Sequence, residues 1–352
     1  MTEAAAAALD SREGAISLPG DWFGAAVRGS RAYRSVAAAL IICALLSAGL
    51  IALALTGVLV ETQQVQTPAL PIALDLSAGM EVDRVGSAEE LLARLQAHRL
   101  WDIPPGNTVP PVLFANYPQD FDLLDLDVKK RAFLHALLPA ALVAREEVAR
   151  ERSALLGILA RFKNPDQLVF DKASGWYDRL SKPEIEFLEF LAAKYRSRIA
   201  SDLLARVDTF PVSLIMAQAA MESSWGSSRF AEQCNNIFGM WTFGDQGLVP
   251  TDRKDGADHK VAVYDTILGS VRAYLLTLNR LPAYRDLRHL RRETHDPLRL
   301  AEGLNLYSQR GDGYVAELKQ IIQFNQLERF DTFTIARKLP VVASADVRPP
   351  RP

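Results

Sequence analysis

The sequence of 352 residues is long enough for two domains of ordinary size or one large one, and its 49% hydrophobic content excludes a wholly disordered protein. Its 40 Lys and Arg residues balance 42 Asp and Glu residues, so the chain lacks the basic field that attracts nucleic acid. We therefore expect no nucleic-acid partner. The two cysteines, Cys43 and Cys234, predict no disulfide framework, and the sequence has no Cys/His cluster typical of a structural metal site.

The run SVAAALIICALLSAGLIALALTGVLV, residues 35–60, contains 26 residues and no charged side chain. A helix of this length, at about 1.5 Å per residue, spans the roughly 30 Å hydrocarbon core of a bilayer. A buried globular helix and a cleaved signal peptide are the alternatives. The apolar part of a signal peptide is usually shorter and lies closer to the N-terminus. We predict one transmembrane helix over 35–60.

The charges on either side of this run predict its orientation. Arg28, Arg31 and Arg34 precede it, whereas Glu61 and a polar stretch follow it. Because positively charged flanks stay in the cytoplasm, we expect a cytoplasmic N-terminus and an exported domain after residue 61.

Composition suggests where the chain is irregular. The Ala/Gly/Ser-rich residues 1–34 predict a disordered cytoplasmic tail, 61–86 a linker, and the Pro-rich end of 333–352 a flexible tail. Prolines in residues 102–120 predict an extended loop.

Apolar residues recur at helical spacing through most of the remaining chain. A helical region is predicted over 87–200, including one long helix that bends at Pro139, and a second domain over 201–332. A helix that begins near Val212 is expected to end near Gly226. The alternating HKVAVYD predicts a small hairpin, so the expected class is mainly α (α+β).

Glu222 lies at the end of the apolar helix that begins near Val212. It shares a helix face with Ile215, Gln218 and Ala219, so its carboxylate should point inward or into a cleft. Burial and the negative end of the helix dipole should both raise its pKa. A carboxyl that stays protonated near neutral pH can act as a general acid.

Flat side chains and amides follow this glutamate. Trp225, Phe238 and Trp241 offer faces on which sugar rings stack, and Asn235 and Asn236 offer hydrogen-bond donors and acceptors. Core packing is the alternative for the tryptophans. The combination favours a carbohydrate ligand.

The stretch AQAAMESSWGSSRFAEQCNNIFGMW, residues 217–241, resembles the signature of the family-73 glycoside hydrolases, N-acetylglucosaminidases of bacterial cell walls. In that signature, Glu-Ser-x-Trp-Gly-x-Ser is followed by Asn-Asn-x-Phe-Gly. The chain is more similar to the bacterial Bax-like branch, a resemblance that extends to VYDTILGSVRAYLLTLNRLPAYRDLR and LYSQRGDGYVAELKQIIQFN and covers about residues 87–330.

The resemblance implies a lysozyme-like, mainly α fold with a small β-hairpin lobe. It maps the general acid onto Glu222, places Tyr307 in the active site and places Tyr314 nearby. The family pattern usually reads Tyr-Ser-Glu-Arg-Gly where this chain has Gln309, so a role that needs charge at that position is in doubt.

The resemblance also implies a second carboxylate in the hairpin lobe. Sequence alone does not choose among Asp245, Asp252, Asp255 and Asp258, because aspartates are also common turn residues. We select Asp255 as the candidate.

These observations together predict a peptidoglycan hydrolase that cleaves the β-1,4 bond after N-acetylglucosamine. The expected location is the inner membrane, spanned once by 35–60, with the catalytic domain in the periplasm. No cofactor or metal is expected. The alternatives are a lytic transglycosylase and a non-catalytic wall-binding module. The predicted catalytic residues are Glu222, Asp255 and Tyr307, and the predicted substrate-binding residues are Trp225, Asn236, Phe238, Trp241 and Tyr314.

Overall fold

A computed structural model describes residues 75–103, 107–171, 173–242, 247–249 and 260–336. All of these residues belong to one compact unit within Ala69–Pro352. The predicted tail over 1–34 and the predicted transmembrane helix over 35–60 lie outside the described residues. Of the helices within those described ranges, none has the length and apolar character that a membrane span requires.

Short strands and many helices alternate along the described chain. In order, they are β1 (Glu81–Asp83), α1 (Ala88–Ala97), β2 (Thr108–Val109), β3 (Val112–Phe114), α2 (Leu126–Leu159), α3 (Lys182–Tyr195), α4 (Ala200–Arg206), α5 (Val212–Glu222), α6 (Arg229–Cys234), β4 (Trp241–Thr242), β5 (Lys260–Val261), α7 (Ile267–Arg280), α8 (Arg285–Arg291), α9 (Pro297–Ala301), α10 (Asp312–Phe324) and β6 (Thr334–Ile335). The prediction of a mainly helical protein with a few strands is confirmed.

The long helix α2 is the central element of the fold. It contains Pro139 in its interior, and nearly every residue between Ala132 and Ala144 is buried. A helix that is apolar on all sides must be surrounded by other elements, and α2 packs against both α5 and α7. The predicted long helix is therefore present and forms the support for α5.

Two hydrophobic clusters form the core. The larger joins the part of α2 up to Ala144 with α1, α5, α7 and α10. The smaller joins the end of α2, including Leu155 and Leu159, with α3 and α4. Because α2 belongs to both clusters, the core does not divide at residue 200, where the sequence suggested a domain boundary.

Three segments that we expected to be irregular form strands at the edge of the fold. In the predicted linker, β1 pairs in parallel with β3, and β6 of the predicted tail pairs in parallel with β2. The predicted linker over 61–86 thus contains β1, the predicted tail over 333–352 contains β6, and the loop over 102–120 contains β2 and β3. Each pairing joins residues far apart in sequence, so local composition could not indicate it.

The predicted hairpin is small. Trp241 pairs with Val261 and Thr242 pairs with Lys260 in an antiparallel register, and Leu248 forms a further bridge to Val261. The residues between these strands are described only in part. All four candidate aspartates of the lobe, Asp245, Asp252, Asp255 and Asp258, lie outside the described residues.

Candidate active site

Glu222 is the last residue of α5, so the helix ends four residues before the predicted end at Gly226. The next turn is held by the Ser223 hydroxyl, which donates to the Ala219 carbonyl at 2.6 Å and accepts from the Gly226 N–H at 2.8 Å. Ser224, Trp225 and Gly226 then have φ values of 52°, 60° and 86°. These three left-handed residues turn the chain sharply just after Glu222.

Gly226 lies against three aromatic rings. A Cβ atom at this position would come within 3.0 Å of the Phe133 ring and 3.2 Å of both Phe121 and Tyr117. Since φ is also positive, the site favours glycine on two grounds. The turn after Glu222 is therefore anchored on the aromatic side chains around α2.

The Glu222 carboxyl is half-buried and hydrogen-bonded. Burial raises the pKa of Glu222 above its usual value, and the smaller effect of the Tyr314 hydroxyl, which donates to Oε1 at 2.8 Å, opposes this shift. A Cβ atom on Gly239 would lie 3.8 Å from Oε2, so the backbone that leads into β4 passes beside the other oxygen. One face of the carboxyl is thus fixed by α10 and another is bordered by the loop.

A buried hydrogen-bond chain holds Tyr314. The Tyr274 hydroxyl donates to Oε1 of Gln218, and Nε2 of Gln218 donates to the Tyr314 hydroxyl at 2.9 Å. Tyr314 in turn donates to Glu222. Gln218 lies one helical turn before Glu222, so α5 itself positions the donor that orients its terminal carboxyl.

Tyr307 lies beside this chain. Its ring stacks on that of Tyr314, with centroids 5.6 Å apart and an interplanar angle of 16°, and its hydroxyl donates to the Phe238 carbonyl at 2.9 Å. Burial raises the pKa of Tyr307 well above its usual value, and the Glu222 carboxylate adds to the shift. Tyr307 therefore stays protonated and can act as a hydrogen-bond donor.

Two charged residues next to Glu222 were missed by the sequence analysis. Arg310 pairs with Glu317 at 2.6 Å and approaches Sδ of Met221 at 3.7 Å. The Arg310 cation lowers the pKa of Glu222 and the Glu317 carboxylate raises it, both by less than burial does. Glu317 lies one turn after Tyr314 on α10, a spacing that could have indicated its position.

Two of the predicted substrate-binding residues have buried side chains. Nδ2 of Asn236 donates to the carbonyls of Met240 at 2.7 Å and Ala262 at 2.9 Å. Phe238 stacks on Tyr274 with centroids 4.0 Å apart and is 1% exposed. The structure places both residues where they shape the loop before β4 rather than where a sugar could contact them.

The two predicted tryptophans differ. Trp241 on β4 is 59% exposed. Trp225 is half-buried and packs edge-on against Phe133 at 5.9 Å between centroids. Both retain surface that a sugar could contact.

One group of side chains in the described ranges has the spacing of metal ligands. Ligand atoms of Glu81, Asp83 and His98 lie within 4.8 Å of one another. Nε2 of His98 is 2.8 Å from Oδ2 of Asp83, a hydrogen bond that accounts for their approach. These residues lie on β1 and just after α1, not on the elements that carry Glu222.

Comparison with known proteins gives a family match to the part of the chain that contains this site. Residues 197–327 match the glucosaminidase family, described as mannosyl-glycoprotein endo-beta-N-acetylglucosaminidase. This segment is similar to glucosaminidase domains. The recognition of the family and the prediction of a glycoside hydrolase are thereby confirmed. The matched segment includes Glu222, Tyr307 and Tyr314, whereas α2 precedes it.

The chain is also similar to individual proteins. It is 28% identical to Protein bax of Escherichia coli (strain K12) over an alignment of 215 positions, which covers 56% of this chain and 70% of that protein. Among solved structures, the autolysin Auto catalytic domain of Listeria monocytogenes matches 41% of this chain and 81% of its own, at 20% identity and a TM-score of 0.30. A C-terminally truncated glycoside hydrolase domain of FlgJ from Salmonella typhimurium matches 40% of this chain and 97% of its own, at 24% identity and a TM-score of 0.27.

Proposed function

We propose that this protein hydrolyses the β-1,4 bond after N-acetylglucosamine in peptidoglycan, with Glu222 as the general acid. The observation that carries the proposal is the half-buried Glu222 carboxyl, whose pKa is raised by burial and whose Oε1 accepts a hydrogen bond from Tyr314. A raised pKa keeps a fraction of the carboxyl protonated at higher pH, as protonation of a leaving oxygen requires. The glucosaminidase family match supports the choice of bond.

In this mechanism Glu222 protonates the glycosidic oxygen while Tyr307, Trp225 and Trp241 position the sugars. Water activation would come from Asp255 in the hairpin lobe or be replaced by assistance from the substrate's own acetamido group. An inverting pair of carboxyls stands roughly 6.5–9.5 Å apart and a retaining pair about 5–5.5 Å. The distance between Glu222 and the true partner would therefore distinguish the two routes.

Analysis of the products tests the proposed reaction. The full chain is incubated with purified peptidoglycan, and mass spectrometry of the released fragments is expected to show reducing N-acetylglucosamine ends. Anhydro ends would instead identify a lytic transglycosylase. Binding to the wall without release of fragments would identify a non-catalytic wall-binding module.

The role of Tyr314 can be tested by Tyr314→Phe. Its hydroxyl stabilises the ionised carboxylate, so its loss should raise the pKa of Glu222 further. A general acid works only while protonated, and its activity falls as pH rises through its pKa. The basic limb of the kcat/KM profile should consequently move to higher pH. The control is Tyr177→Phe, which removes a hydrogen bond from a tyrosine hydroxyl to the Glu189 carboxylate. In this control the basic limb should not move. A limb that moves to lower pH would contradict this role.

We further propose that residues 35–60 anchor the protein in the inner membrane, with the N-terminus in the cytoplasm and the catalytic domain in the periplasm. The support is the uncharged run of 26 residues and the arginines before it. Protease added to spheroplasts is expected to degrade the chain after Glu61. Protection of the bulk of the chain, or a mature N-terminus beyond residue 45, would overturn this topology.

A further inference from the structure

A shallow groove runs along α10 and is lined in part by Glu317, Ile321 and Phe324. Tyr314, Glu317, Ile321 and Phe324 are spaced three or four residues apart, so they form one stripe of this helix. The stripe starts at the hydrogen bond between Tyr314 and Glu222 and ends about 15 Å away at about 1.5 Å per residue. Tyr314 itself is buried, so the groove begins at Glu317, one helical turn from the residue that donates to Glu222.

The far end of the groove is aromatic and rich in amides. Phe324 is 83% exposed, whereas Trp241 on β4 is 59% exposed. The same hollow is lined by Trp225, Lys130 and three amide side chains, Gln320, Gln323 and Asn325. Exposed aromatic faces beside amides are the chemistry that binds sugar rings and their hydroxyl and acetamido groups.

Lys130 links the two rings. Its ammonium lies 5.0 Å from the Trp225 centroid and 5.8 Å from that of Phe324. Within the described ranges no carboxylate pairs with it, so its N–H groups remain free to bind a ligand oxygen. Lys130 lies on α2, outside the matched domain over 197–327, so the helical region before that domain supplies one wall of the groove.

The hollow also continues beyond Lys130. Lys130 and Asn325 line a second hollow together with Trp101 and Phe333. The two hollows share Lys130 and Asn325, so these two side chains border a surface that extends beyond the first hollow.

We propose that Phe324 and Lys130 form a distal glycan subsite, which binds the peptidoglycan strand several sugars away from the bond that is cut. The proposal deepens the proposed function and rests on it for the identity of the polymer. Phe324 stacks on a sugar ring, Lys130 donates to its oxygens, and the amides of α10 bind the neighbouring acetamido groups.

Binding to purified peptidoglycan sacculi tests the subsite without requiring turnover. The full chain with Glu222→Gln is compared by co-sedimentation with the same chain carrying Phe324→Ala in addition. Loss of one stacking ring is expected to weaken binding about tenfold, and Phe324→Tyr should restore it. The control is Leu123→Ala, which removes an equally exposed apolar side chain, 86% exposed, before α2. Equal binding by Phe324→Ala, or an equal loss in Leu123→Ala, would overturn the proposal.

Chain length provides a second readout. With Glu222 intact, peptide-free glycan chains are fractionated into tetrasaccharides and dodecasaccharides, and kcat/KM is measured for each. The wild-type chain should have a higher kcat/KM for dodecasaccharides than for tetrasaccharides. The ratio of these two values should fall toward one in Phe324→Ala and in Lys130→Gln. If the wild-type chain digests both lengths and the variants keep its preference, the subsite fails and the proposed function stands. If nothing is digested but binding depends on Phe324, the proposed function fails and the subsite stands.

Discussion

Replacement of Glu222 by Gln is expected to lower kcat on peptidoglycan by about two orders of magnitude or more, because the amide cannot donate the proton that the leaving oxygen needs. The amide keeps the shape of the side chain and can still accept the hydrogen bond from Tyr314. Binding to sacculi should therefore persist. Release of fragments at more than a tenth of the wild-type rate would mean that another residue is the acid.

The same variant should change stability with pH in a defined direction. The pKa of Glu222 in the folded protein is raised by burial above the usual value of 4.5. Its contribution to stability is therefore fully present below about pH 4.5 and is lost as pH rises through the folded pKa. Glu222→Gln cannot ionise, so its Tm relative to wild type should increase between pH 4 and pH 8. A constant Tm difference would show that Glu222 titrates normally.

Gly226→Ala is expected to be the most destabilising small substitution near the site. A positive φ costs a non-glycine residue roughly 1–2 kcal/mol, and overpacking typically adds 1–3 kcal/mol. We expect a combined loss of about 3 kcal/mol in the free energy of unfolding, measured by urea denaturation. The added methyl group would meet Phe133, Phe121 and Tyr117, and the displaced turn should also reduce activity.

Gly79→Ala separates the cost of a positive φ from the cost of overpacking against the aromatic rings. Gly79 has a φ of 79°, close to the 86° of Gly226, but a Cβ atom there would meet nothing within 4 Å. The free energy of unfolding of Gly79→Ala should fall only by the cost of the positive φ, about 1–2 kcal/mol. Equal losses in the two variants would show that the aromatic rings around Gly226 move aside at no cost.

The elements that local patterns define were predictable from the sequence. The long helix α2 follows from apolar spacing, and α3 begins at Ser181, whose side chain forms a capping box with Glu184. Glu222 could be identified because the motif around it is contained in 25 residues. These features depend on neighbours within one or two helical turns.

The parts that could not be predicted depend on residues that are distant in sequence. Gln218 and Tyr314 are 96 positions apart, and nothing local indicates that their hydrogen bond orients Glu222. The early end of α5 depends on the Ser223 hydroxyl, which binds the helix carbonyl of Ala219 and the N–H of Gly226. Asn236 and Phe238 read as ligand contacts in the motif, yet their partners are the loop backbone and Tyr274.

The first described residues also determine where the fold would bear a mechanical load. Arg272 of α7 joins Asp75 at 2.6 Å to Glu147 of α2 at 2.8 Å, and the Leu76 N–H donates to the same glutamate at 2.9 Å. A pulling force that travels along the chain to Asp75 is therefore transferred to the two helices α2 and α7, which pack against each other in the core. The turn after Glu222 lies outside that path of tension, so stretching of the preceding chain would load the core before it disturbed the Glu222 carboxyl.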